Sequence, residues 1–478
     1  MLGLGCLLLT FLCLSSSIHA AQPCFRNCQA ICPSAACQSA CQQTCSKAVS
    51  RFYGKPYFRA SPAFSLPAGT QITGSDAPMK PANSNIYFTT LGGTVYRYDW
   101  SVGGAAGLNA VFVLNNRLLA GGEGKGLYDI AFNIDYNLNG LAYLQYAEPA
   151  GADAEIVFIP DEKHPDLLSR LVPDHYNVIV QIESLGDMNW QLSARPPLRR
   201  LVQYSSARSG GWLKAGMREF YRSLDNTTRL NYAVGGNPEE LALLVRHAPH
   251  LSIVGSFIPE LTGSRNDVEN VDDDKLWAAG IRNPIACASS PLYKVDYIYC
   301  MVEETFGNQK QVQRSIFKLK RGVNYGSHKY AYFCQDKLCA GYRTPMLSAG
   351  PLLSWAAQDE CPMHSMRLYT GSKLNRNFAG QLFVVCDAYY NVKTSQFVPT
   401  ALLLFNYDTI NGIWRLSDIP TAFDDDDLLV NTTLLGGDLQ DRMLIAGYSL
   451  RRSEMVAYHL DPEKAGDMGT TAALKARR

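Results

Sequence analysis

Asn85-Ile86-Tyr87-Phe88-Thr89-Thr90, then Leu91-Gly92-Gly93, then Thr94-Val95-Tyr96-Arg97-Tyr98 is the stretch on which the fold turns. β-Branched and aromatic residues on both sides of a glycine turn, where positive φ is tolerated, predict a β-hairpin. Runs of the same kind recur at 141–146, 155–159, 177–182, 295–302, 315–320, 382–386, 401–407, 443–450 and 455–460, separated by Gly, Asn, Asp and Pro. Helical periodicity is scarce beyond the first residues. Pro238 to Arg246, with Leu241, Leu244 and Val245, is the main candidate, and 194–237 is the least legible segment, with room for insertions.

Many short strands with turn signals mean an all-β sandwich, barrel or propeller. A sandwich domain takes about 100 residues, so the body of roughly 410 residues would need several, with no linker to separate them. One closed ring takes them all. Six blades of about 68 residues are roomy beside the 40 to 45 of compact repeats, which predicts long inter-strand loops. The expected fold is therefore a six-bladed β-propeller over 52–462, preceded by a short Cys-rich helical hairpin over 22–50 and followed by a flexible tail over 463–478.

Residues 1–21 carry an apolar run, Leu7-Leu8-Leu9-Thr10-Phe11-Leu12-Cys13-Leu14, followed by small residues, and read as a secretory signal. No other stretch approaches the roughly 20 apolar residues of a membrane helix. Lys plus Arg is 44 against 43 for Asp plus Glu, so no net field recruits nucleic acid or an anionic membrane. The expected localisation is secreted or extracellular. Asn226 and Asn431 each open an Asn-Thr-Thr acceptor triplet for glycosylation.

Of 14 cysteines, two fall in the signal and 12 remain, an even number suited to an oxidising compartment. Steps of four place Cys24, Cys28 and Cys32 on one helical face and Cys37, Cys41 and Cys45 on another, with Pro33 to Ala36 between. Antiparallel packing would match Cys32 to Cys37, Cys28 to Cys41 and Cys24 to Cys45, though other connectivities are open. A segment this short buries little core, so disulfides must stabilise it. No His lies among these cysteines, which disfavours zinc.

Leu276-Trp277-Ala278-Ala279-Gly280-Ile281-Arg282-Asn283-Pro284 presents two long polar side chains where an apolar run stops. Gly280 to Pro284 resembles the "GLRNP" of the glucose/sorbosone dehydrogenase propeller family. Gly126 to Phe132 with Asn139-Gly140-Leu141 resembles its "GLLGLAF…NG.LYV", and Val323-Asn324-Tyr325-Gly326 its "NYGW". Leu368 to Gly371 with Phe378 to Asp387 resembles "VYRG…L.G.Y.FGD", and Gly437 to Ile445 resembles "GED..GELYV". Cys334 to Cys339 resembles a Cys-flanked loop of the Hedgehog-interacting-protein-like branch, and the resemblance implies that these two cysteines pair.

The resemblance implies a six-bladed propeller whose enzymes hold pyrroloquinoline quinone, often with calcium, and oxidise sugar hydroxyls while a histidine takes the hydroxyl proton. Arg282 and Asn283 match cofactor-binding positions. Arg208-Ser209-Gly210-Gly211-Trp212-Leu213 matches the stretch that carries the histidine and puts Arg208 in its place. An arginine stays protonated and cannot act as that base. The expectation is a propeller that is not catalytic, holds neither quinone nor metal, and binds an extracellular protein or glycan through its loops. The alternative is a quinone-dependent sugar or aldose dehydrogenase with its base elsewhere. Asp272 to Asp274, Asp424 to Asp427, and the pair His247 and His250 read as solvated surface rather than metal ligands.

Overall fold

The computed structural model describes residues 28, 32, 34–46, 57–78, 85–121, 125–151, 157–160, 168–186, 188–203, 211–218, 228–234, 253–257, 275–279, 281, 284–289, 297–306, 311–320, 323–325, 353–356, 362–369, 378, 380–392, 394–408, 413–424, 427–436 and 442–462. The signal 1–21, Cys24, Arg208, Asn226, the helical candidate at 238–246, His247, His250, Asp272 to Asp274, Arg282, Asn283, Cys334, Cys339 and the tail 463–478 lie outside the described residues.

Every strand run read from the sequence overlaps an observed strand. The opening hairpin is Asn85–Thr90 and Thr94–Asp99, paired antiparallel, with Gly93 at φ 93° in the turn. Glycine carries that φ without steric cost. Its first strand is buried at nearly every position rather than at alternate ones, as expected of a strand covered on both faces.

The chain is all-β and propeller-like. Apart from two two-stranded ribbons, its described strands group into sheets of four or five, each starting from one strand nearest the centre. These inner strands are β1 (Ile72–Asp76), β2 (Leu127–Phe132), β3 (Trp212–Arg218), β4 (Pro284–Ala288), β5 (Met363–Tyr369) and β6 (Leu429–Leu435). Each lies against the next, and β6 lies against β1, so the circuit closes on itself. The apolar cores fill the spaces between successive sheets: Tyr87 with Leu144, Tyr143 with Tyr232, Ala278 with Phe317, Met301 with Val384, Phe383 with Tyr458, and Phe88 with Leu444. The sheet that holds β6 is completed by Phe58–Leu66, which pairs antiparallel with Glu454–Pro462 and so joins the first and last strands of the ring.

Before this ring, α1 (Ala35–Ser46) is held by disulfides Cys28–Cys41 and Cys32–Cys37, the partners that antiparallel packing requires. Cys28, Cys32, Cys37 and Cys41 are buried against Ala388, Phe397, Leu428 and Leu450, so this segment is docked on the ring wall. Cys287 bonds Cys300 across adjacent strands, and Cys386 is also disulfide-bonded. No helix among the described residues is long and apolar enough to cross a membrane. The segment least legible in sequence, 194–237, holds Arg199–Gln203, β3 and Thr228–Val234. Polar residues such as Lys214, Arg218 and Asn231 break up the apolar runs there.

Candidate active site

The inner strands surround a cleft open to solvent, with lining from each of them. Their pairing to the second strand of each sheet is irregular at one point in every case: Ile72/Gly74, Leu127/Asp129, Ala215/Arg218, Pro284/Ala286, Met363/Ser365 and Val430/Thr433. A bulge leaves a residue out of the ladder and turns its side chain. Inner strands of different sheets do not pair, so freed backbone groups need side-chain partners.

Short polar side chains supply them. Thr73 Oγ1 donates to Leu127 O at 2.8 Å, and Asp76 Oδ2 accepts from Phe132 N at 3.1 Å, tying β1 to β2. Asp129 Oδ2 accepts from Leu213 N at 2.8 Å, tying β2 to β3. Ser365 Oγ accepts from Leu434 N at 3.0 Å, tying β5 to β6.

One side of the cleft is charged but self-compensating. Lys214 Nζ lies 2.6 Å from Asp76 Oδ1, both side chains being buried. Beside them Asp129 is pushed up to about 7, chiefly by burial, while hydrogen bonds from Leu213 and Ile130 and the Lys214 charge pull the other way. Across the cleft Arg367 donates from Nη1 to Ser75 O and Ser75 Oγ at 3.3 and 3.0 Å, and no carboxylate pairs with it among the described residues.

His364 is the residue left out of register between Met363 and Ser365 of β5. It lines the cleft with a side chain 39% exposed, and its Nε2 lies 3.4 Å from Asp387 Oδ2. Asp387 is buried. Its carboxylate accepts from Asn431 N at 2.8 Å, Thr432 N at 2.9 Å and the Thr432 hydroxyl, all at the bulge of β6, and its own N–H donates to Pro362 O at 3.0 Å. Burial pushes Asp387 up to about 6 against those hydrogen bonds and the Arg314 charge.

Of the residues singled out in the sequence, Asn431 is described: it is exposed, at φ 52° in the β6 bulge. The segment 424–427 departs from the solvated reading at Asp427, which is buried and accepts from Tyr458 OH, Ser449 Oγ and Leu428 N. Among the described residues no group of three His, Cys, Asp or Glu could hold a metal ion. His364, Arg367, Lys214, Asp76, Asp129 and Asp387 were not legible as a site. The available signal was a lone polar residue inside a strand-like run, as with Asp129 in Leu127-Tyr128-Asp129-Ile130-Ala131-Phe132.

No family model matches the chain, and no curated protein matches it. Solved structures do. A glucose dehydrogenase superposes with a TM-score of 0.54 at 13% identity, over 84% of this chain and 99% of that one. The apo form of the soluble aldose sugar dehydrogenase of Escherichia coli gives 0.53 at 14% identity, over 85% and 100%. The PQQ-bound aldose sugar dehydrogenase of Streptomyces coelicolor gives 0.50 at 12%, over 85% and 99%. At these identities the likeness is one of fold.

Proposed function

We propose that this chain is a sugar dehydrogenase-type propeller, acting on a hydroxyl of a carbohydrate-class substrate at its central cleft. The observation that carries the reading is the cleft itself, where Arg367, which pairs with no carboxylate among the described residues, and the Lys214–Asp76 pair share the lining with a half-exposed imidazole. The likeness to glucose and aldose sugar dehydrogenases supports it. So does the run of inner strands β1 to β6, which we take as one blade each, as the sequence reading expects. The disulfides suit an exported protein, with 1–21 as its signal and Cys24 to Cys45 as a stapled hairpin.

A pyrroloquinoline quinone is planar and bears several carboxylates, and the donor set fits it in sign of charge. Among the described residues Arg367 pairs with no carboxylate, and Asp129 is held near its protonated form. Arg367 would hold a carboxylate, together with Arg282 and Asn283 from the sequence. Bound there, the quinone supplies a two-electron acceptor for the sugar. Around it, the chain's own hydroxyls and Arg367 orient the substrate, and the surrounding sheets restrict water.

A second reading is a binding protein of the Hedgehog-interacting-protein-like branch, favoured by the arginine at position 208 where that family's enzymes place a base. One experiment separates the two. Purified protein incubated with the quinone and calcium is desalted, scanned for quinone absorbance, and assayed for dye reduction with a panel of aldoses. Quinone retention that is weakened tenfold or more by Arg367→Gln, with sugar-dependent turnover, is expected. Neither retention nor turnover at micromolar quinone overturns the dehydrogenase reading and leaves the binding one.

A further inference from the structure

Oxidation of a sugar hydroxyl needs a base that works near neutral pH, and the resemblance puts an arginine where that base belongs. We propose that His364, oriented by Asp387, is the proton acceptor of the reaction, so that the base has moved to a different inner strand. This rests on the dehydrogenase reading above.

Three observations carry it. Among the described histidines, His364 is the one that lines the cleft: His175 is fully buried beside Asp174, and His459 lies against Tyr98 OH at 3.1 Å. His364 occupies the bulge of β5, where the ladder no longer fixes its direction, and its side chain is 39% exposed. Asp387, opposite its Nε2 at 3.4 Å, is fixed from four sides, by Asn431 N, Thr432 N, the Thr432 hydroxyl and its own N–H to Pro362 O. A buried carboxylate facing one imidazole nitrogen orients the ring and stabilises the imidazolium formed when the ring takes a proton. The bulges of β5 and β6 thus supply the two halves of the pair: one presents the imidazole, the other frees the N–H groups that hold its carboxylate.

The step balances as follows. The substrate O–H bond breaks and its proton passes to the imidazole. The adjacent C–H bond breaks, its electron pair leaving as hydride to an acceptor of the ortho-quinone class, which is reduced by two electrons. The carbon–oxygen bond becomes a carbonyl. The charges around the pair are Arg314, which acts on Asp387 from the strand Gln311–Lys320 and is itself bonded to Glu303 at 2.9 Å, Arg367 on the same strand as His364, and Lys214 and Asp129 across the cleft.

The test uses full-length protein loaded with quinone and calcium, with His364→Gln and Asp387→Asn beside it. His364→Gln should cut kcat about 100-fold or more while quinone absorbance and KM stay near those of the parent. Asp387→Asn should move the acidic limb of the pH–rate profile to lower pH, because the imidazole loses the negative charge that raises its basicity. His364→Gln turnover within threefold of the parent overturns the proposal. If the parent holds quinone yet oxidises no sugar, the dehydrogenase reading fails instead, and the His364 ring proton resonance judges the pair. A titration midpoint that falls in Asp387→Asn supports the coupling, and an unchanged midpoint overturns it.

Discussion

Asp129 is an acid enclosed between two inner strands, and its carboxyl stays protonated to about pH 7 in the folded protein against about 4 in the unfolded chain. Between those values the folded state binds the extra proton. The stability it contributes is therefore complete below about pH 4 and lost as pH rises through about 7. Asp387, pushed up to about 6, acts in the same direction. The expected outcome is a urea midpoint that falls from pH 5 to pH 8, with a loss of stability of about 3 kcal/mol from Asp129. In Asp129→Asn the slope should flatten, and a variant whose midpoint keeps the parent's pH slope would contradict this assignment. Gly74 belongs to the same corner: a Cβ there would lie 2.0 Å from Asp129 Oδ1 and 2.9 Å from its Cα. Gly74→Ala should destabilise by about 1–3 kcal/mol in denaturant unfolding.

At the scale of single elements, β5 and β6 are joined by one side chain where no ladder runs, Ser365 Oγ accepting from Leu434 N. Ser365→Ala leaves that N–H buried and unpaired and should cost about 1–3 kcal/mol, read as a shifted thermal midpoint. The stapled segment gives a second expectation. Cys28–Cys41 spans 13 residues, so Cys28→Ser with Cys41→Ser should lose about 3 kcal/mol, read as a lower urea midpoint in the absence of reductant. Steps of four put its cysteines on two faces, and two of the pairs that antiparallel packing would match, Cys28 with Cys41 and Cys32 with Cys37, are the ones bonded. Other strands were plainer, since Asn85–Thr90 is rich in β-branched and aromatic residues and Ala401–Asp408 is mostly apolar. Inner strands were harder. Trp212–Arg218 and Met363–Tyr369 mix apolar residues with Lys214, His364 and Arg367, because one side of each faces the cleft. The site stayed hidden for a related reason: His364, Asp387 and Asn431 come together only through two bulges and a turn, none of which has a sequence period.

For the molecule as a whole, the circuit holds because Phe58–Leu66 pairs with Glu454–Pro462. Deleting 58–66 should expose that edge and convert the parent's peak in size-exclusion chromatography to aggregate; a synthetic peptide of the deleted strand, added during refolding, should restore the parent's peak. Ser61 and Asp461, hydrogen-bonded at 3.1 Å across this seam, stand 400 residues apart in the chain. A ribosome adding about 5–20 residues per second needs roughly 20–80 s between them. Throughout that interval the nascent amino-terminal strand waits beside partly built neighbours, so chaperones that cover unpaired edges become a requirement of biosynthesis, and premature termination upstream of the last strand yields a product without its clasp.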